Sequence, residues 1–90
     1  MNTFKDLEFR PHLNHHQING IQAVVKFENG YGASVVNHTN SYGGKSGLYE
    51  LAVLKDGLIT YDSPITNDVL GWLNEDEVTN FLTKIQQLTK

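Results

Sequence analysis

Residues 21–36, IQAVVKFENGYGASVV, and residues 48–62, LYELAVLKDGLITYD, decide the fold. Each stretch holds two runs rich in β-branched and aromatic side chains, separated by a dipeptide that favours chain reversal. In the first the dipeptide is Asn29-Gly30 and in the second it is Asp56-Gly57. Both pairs tolerate the positive φ angles of a two-residue hairpin turn, whose twist matches the flanking strands. With Asn29 and Gly30 as the two central residues, Phe27 stands opposite Gly32, Val25 opposite Ser34 and Ala23 opposite Val36. That register lays the Phe27 ring over a bare glycine and gives Gly32 a packing role. In the second hairpin Leu54 faces Ile59 and Ala52 faces Tyr61. One face then carries Leu48, Ala52, Leu54, Ile59 and Tyr61, and the other carries Leu51, Val53, Leu58 and Thr60. Both are partly apolar, whereas a solvated antiparallel face normally alternates with polar residues. The second face is therefore expected to meet the N-terminal segment, another copy of the chain or a partner.

Downstream, Asn74-Glu75-Asp76-Glu77 is the clearest helix start: Asn74 can cap free amides, Glu77 stands in the capping-box position, and the acids suit the positive helix end. Val78, Phe81, Leu82, Ile85 and Leu88 follow as one apolar stripe long enough to cover a sheet face. The expected fold class is α+β, an antiparallel β-meander of four strands with one C-terminal helix packed on one face. Leu7–Phe9 would add a fifth, edge strand before Pro11 stops it. Ser63-Pro64 ends the fourth strand, and residues 66–73, TNDVLGWL, read as one turn of helix broken at Gly71, with Trp72 as a core or rim anchor plugging one end of the sheet. A lone tryptophan is also a common interface hot spot.

Ninety residues make one small domain with a modest core. The net charge of -3 argues against a general nucleic-acid binder, which needs a basic stripe to displace counterions. The acids concentrate in the C-terminal half, where Asp62, Asp68, Glu75, Asp76 and Glu77 form either a contact surface for a basic protein or ordinary turn and helix-start chemistry. With no cysteine, no disulfide, thiol nucleophile or thiolate metal site can be built. No apolar run approaches the length of a membrane span, and the opening MNTFKDLEFR lacks the apolar segment of a signal peptide.

His12, His15 and His16 crowd the polar segment between Pro11 and Gly20, and His38 follows the second strand. A metal site needs three or four converging ligands, and this segment offers neither helical ligand spacing nor an acid. No metal and no cofactor are expected. Gly43-Gly44-Lys45-Ser46 ends like a phosphate-binding loop, but Thr39 stands where the earlier glycine is needed, and a strand rather than a helix follows. This glycine-rich connection carries Tyr42 and Lys45, which suit contact with a partner.

Several strings, DLEF at 6–9, NGYGASVV at 29–36, SYGG at 41–44, GLYELAVL at 47–54 and YDSPITNDVLGWL at 61–73, together resemble a family of small bacteriophage proteins of unassigned function. The resemblance covers nearly the whole chain after the histidine segment and brings no catalytic residue with it. It implies a phage accessory protein in the host cytoplasm, not an enzyme, that binds and inhibits a host protein or a component of anti-phage defence, as anti-CRISPR proteins do. The candidate partner or ligand contacts are Tyr31, His38, Tyr42, Lys45, Asp62 and Trp72. A homodimer is compatible with two apolar sheet faces. Two further readings are a small-ligand or signal-nucleotide binder using Tyr31, Tyr42, Lys45 and His38, and a structural phage protein. An enzyme pairing His38 or another histidine with Asp62 is the least supported, since such a pair occurs in almost any chain.

Overall fold

The computed structural model describes residues 3–11, 20–37, 47–61, 63, 65 and 69–88. Among them an antiparallel six-stranded sheet is covered on one face by one helix, so the fold is α+β. The strands are β1 (Arg10–Pro11), β2 (Ile21–Lys26), β3 (Tyr31–Asn37), β4 (Tyr49–Lys55), β5 (Leu58–Ile59) and β6 (Leu70–Leu73), and the helix is α1 (Glu75–Gln86). They run β1-β2-β3-β4-β5 across the sheet, and β6 also pairs with β4.

The helix-facing core is built from alternate residues of the central strands. Tyr31, Ala33 and Val35 of β3 and Leu51 and Val53 of β4 meet Val78, Leu82 and Ile85 of α1. Val78, Leu82 and Ile85 are fully buried, as the stripe requires. The helix starts where the sequence says it should. The Glu77 amide donates to Asn74 Oδ1 at 2.8 Å and the Asn74 amide donates to Glu77 Oε1 at 3.1 Å, closing a reciprocal cap.

The two hairpins differ. Asp56 and Gly57 both have positive φ, 53° and 86°, so the second is the expected two-residue turn with Leu54 opposite Ile59. The first is not. Lys26 pairs with Gly32, Val25 with Ala33 and Ala23 with Val35, one residue away from the expected register. The Gly30 amide donates to Phe27 O at 3.2 Å and the Phe27 amide to Tyr31 O at 2.8 Å, which closes a three-residue loop with only Gly30 left-handed, at φ 88°. Two forces favour this. The observed register places Ala23, Val25 and Phe27 on the same face as Tyr31, Ala33 and Val35, whereas a one-residue slip would send each set to opposite faces. It also frees the Asn29 side chain: its Nδ2 donates to the carbonyls of Ile85 (2.9 Å), Gln86 (3.3 Å) and Leu88 (2.9 Å), while its Oδ1 accepts from the Tyr31 amide at 3.0 Å. Asn29 thus ties the hairpin to the carbonyls of the last helical turn, of which Ile85 O also accepts from the Leu88 amide at 3.2 Å. Gly32 has a different reason from the one expected, since a Cβ there would collide with the Val25 carbonyl oxygen.

Three further expectations are corrected. Residues 7–9 form no strand; the short edge strand is β1, and Pro11 belongs to it, as an edge position without a needed N–H allows. Among the described residues the N-terminal segment packs on the Leu51 and Val53 face that α1 also covers, and not on the opposite face. Its 3-10 turn (Phe4–Asp6) lies beside α1, with the Phe4 amide donating to Thr79 Oγ1 at 3.0 Å, and Phe4 and Phe9 stack around Tyr49 with ring centroids 5.0 and 5.7 Å away. Finally, residues 70–73 are strand β6 rather than helix, and Trp72 is 61% exposed rather than a plug in the core.

Candidate functional site

The free flank of β4 is occupied in succession by two short pieces of chain. β5 pairs with Leu54 and Lys55, the Thr60 amide donates to Val53 O at 2.9 Å, and β6 then pairs with Leu51 and Tyr49. The side chains presented along this margin are unusually apolar. Of the six exposed large hydrophobic residues among those described, Leu58, Ile59, Tyr61 and Trp72 belong to it, and only Ile21 and Val24 lie elsewhere, on β2. Scattered exposed hydrophobics need no explanation, but four of the six along one margin make that margin the candidate site.

Trp72 is the most constrained of the four. Tyr49 pairs with Leu73 and Leu51 pairs with Leu70, so Gly71 and Trp72 together oppose the single residue Glu50. This is a β-bulge, a device that re-aims a side chain at a sheet edge. It lets Leu70 and Leu73, three residues apart, both join the helix-facing core. A regular strand alternates at every second residue, so the extra residue must be absorbed somewhere. It is absorbed at Trp72, which takes a left-handed φ of 59°. For a bulky residue that conformation costs about 1–2 kcal/mol. The indole recovers little of this by burial.

The helix start adjoins the bulge. Glu75, Asp76 and Glu77 are exposed and lie in the first turn of α1. Burial and, secondarily, the nearby Glu75 carboxylate push the Tyr49 hydroxyl above the usual tyrosine range. At the other end of β4, the Lys55 ammonium stands 5.5 Å from the Tyr31 ring centroid.

Of the two candidate partner contacts that lie among the described residues, Tyr31 and Trp72, only Trp72 is exposed, and the helix-start acids Glu75, Asp76 and Glu77 are exposed as well. Tyr31 is a core residue, 9% exposed, and is not available as a partner contact. His38, Tyr42, Lys45 and Asp62 lie outside the described residues, as do His12, His15 and His16. Sequence reasoning missed Leu58, Ile59 and Tyr61 as surface residues. Nothing local could have found them, because a strand's position at the sheet margin depends on how its neighbours pair. On the face opposite α1, a shallow depression is lined by Gln22, Ser34, Val36, Glu50, Ala52, Ile59 and Val69. There Gln22 Nε2 donates to Ser34 Oγ at 2.8 Å, a polar pairing in the middle of that face.

Among the described residues no group of three or more histidine, aspartate or glutamate side chains could hold a metal ion, and no helix is long and apolar enough to cross a membrane. No family model matches the chain, and neither the curated proteins nor the solved structures contain a match.

Proposed function

We propose that this chain is a non-enzymatic binding module that docks on another protein through the β5–β6 margin, with Trp72 as its anchor. One observation carries the reading: the sole tryptophan of the chain is held in a left-handed conformation and is 61% exposed. A strained aromatic that the fold leaves in solvent gains more from a partner than from its own domain, and tryptophan is enriched among interface hot spots. Leu58, Ile59 and Tyr61 supply apolar area around it. Their groups offer desolvation and ring faces rather than proton transfer.

The setting of this module follows from the sequence resemblance: a bacteriophage accessory protein that acts in the host cytoplasm by inhibiting a host protein or an anti-phage defence component, as a monomer or a homodimer. Affinity capture from phage-infected cells with the parent chain and with Trp72→Ala, side by side, tests it. A partner recovered by the first and lost by the second is the expected result. Equal recovery by both removes the margin as the docking surface.

A further inference from the structure

We propose that Asn29 is a latent deamidation site: the docking of the first hairpin on the end of α1 holds the reaction off, and conversion of Asn29 to aspartate prevents that docking from re-forming. None of the residues of the β5–β6 margin takes part.

The reaction is local to Asn29-Gly30. Glycine has no Cβ to hinder its own nitrogen as it approaches the preceding side chain. The Gly30 nitrogen gives its proton to hydroxide and bonds to Asn29 Cγ; the Cγ–Nδ2 bond breaks, and Nδ2 takes a proton from water and leaves as ammonia. Water then opens the cyclic imide. Breaking the new nitrogen–Cγ bond leaves an aspartyl residue, and breaking the original peptide bond leaves an isoaspartyl one, whose main chain is longer by a methylene. Water enters and ammonia leaves, with no oxidant or reductant involved.

In the folded chain both reacting groups are occupied. The Gly30 N–H donates to Phe27 O at 3.2 Å, so its nitrogen cannot lose the proton without giving up a bond that closes the loop. The leaving nitrogen, Nδ2, donates to the carbonyls of Ile85, Gln86 and Leu88, and Oδ1 accepts from the Tyr31 amide, which fixes the side-chain amide at both ends. Attack at Cγ must turn this planar group tetrahedral and pull it off those partners. The reaction therefore waits for the hairpin to part from the helix, a local opening short of global unfolding.

The product cannot dock again. A carboxylate is ionised at neutral pH and carries acceptors only. It would face three carbonyl oxygens at the negative end of the helix dipole, where the amide had offered N–H donors. Each opening is thus a route to irreversible loss of the clamp, and the lifetime of the packed form follows the frequency of opening.

The full chain is held at mildly alkaline pH in buffer and in urea above its unfolding midpoint, and peptide mass mapping follows deamidation at Asn29. Asn19-Gly20, the other Asn-Gly pair, gives the rate of an unfolded pair in the same urea sample. Asn29 should match Asn19 in urea and react at least about tenfold more slowly in buffer, because only the opened fraction reacts. Leu88→Ala, which removes a side chain packed against the core at the helix end, should speed the reaction in buffer and leave the urea rate unchanged. Asn29→Asp should lower Tm by about 10 °C, and by no less than Asn29→Ala does. Equal Asn29 rates in buffer and urea, or no reaction in either, overturns the proposal. So does a buffer rate that Leu88→Ala leaves unaltered, or an Asn29→Asp variant as stable as the parent.

Discussion

The sheet has a side where every residue is accounted for by packing and a margin where packing explains too little. Beneath α1, Val35, Leu51, Val53, Val78, Leu82 and Ile85 are essentially solvent-free and mutually in contact. Along β5 and β6, residues of similar hydrophobicity stand in water, and the largest of them sits on a strained backbone. The difference teaches where to look for function. Burial of an apolar side chain is its own explanation, whereas exposure combined with conformational strain is not explained by the domain's own packing and motivates the proposed docking role.

This contrast can be broken most forcefully from the packed side. Leu82→Ala should cost about 3 kcal/mol, because it removes a fully buried side chain and leaves a cavity. In a domain of this size that lowers Tm by about 15 °C in a thermal melt. A loss under about 1 kcal/mol would mean that the helix is not the cover of the core.

Asn29→Ala should cost about 2 kcal/mol in denaturant unfolding, since it removes the side-chain donor to the Ile85, Gln86 and Leu88 carbonyls and the acceptor of the Tyr31 amide. The mutational cost at Asp56, whose side chain has no such tertiary role, should be much smaller, with Asp56→Asn changing stability by about 0.5 kcal/mol or less because asparagine also tolerates positive φ. Equal costs at the two turns would remove the distinction between them.

On the margin the expected cost nearly vanishes. Trp72→Gly relieves a left-handed conformation that glycine adopts freely, offset by greater freedom of the unfolded chain. Stability should stay within about 1 kcal/mol of the parent while partner capture is lost. A drop comparable to that of Leu82→Ala would place the indole in the packed structure after all.

The smallest effect is a pH dependence. The Tyr49 hydroxyl is raised above its ordinary value by burial and by Glu75. A group whose folded pKa lies above its unfolded one contributes stability that is complete below the unfolded value and lost as pH rises through the folded one. Stability should therefore fall on alkalinisation past about pH 10, and Tyr49→Phe should flatten that part of the curve measured by urea unfolding across pH.

Much of this is legible in the amino-acid sequence. The α+β class, the Asp56-Gly57 turn, the cap at Asn74 and the stripe on α1 depend on neighbours within four residues, and the structure has each where the sequence puts it. The failures share a cause. Val69, Leu70, Trp72 and Leu73 imitate a helical spacing, yet Leu70 and Leu73 share a face because a bulge inserts an extra residue between them. Asn29-Gly30 carries the same signal as Asp56-Gly57 but closes a longer loop, since the end of a helix more than fifty residues away binds the Asn29 amide.

What the sequence determined by itself was every choice settled by the backbone preferences of adjacent residues: where the helix begins, which of its faces is apolar, and that the chain reverses at 29–30 and 56–57. Only the tertiary structure decided the register of β2 on β3, the face that the helix covers and the exposure of Trp72. Those depend on which distant group satisfies a carbonyl or shields a side chain from water, and a periodicity in one segment carries no record of the partner it will meet.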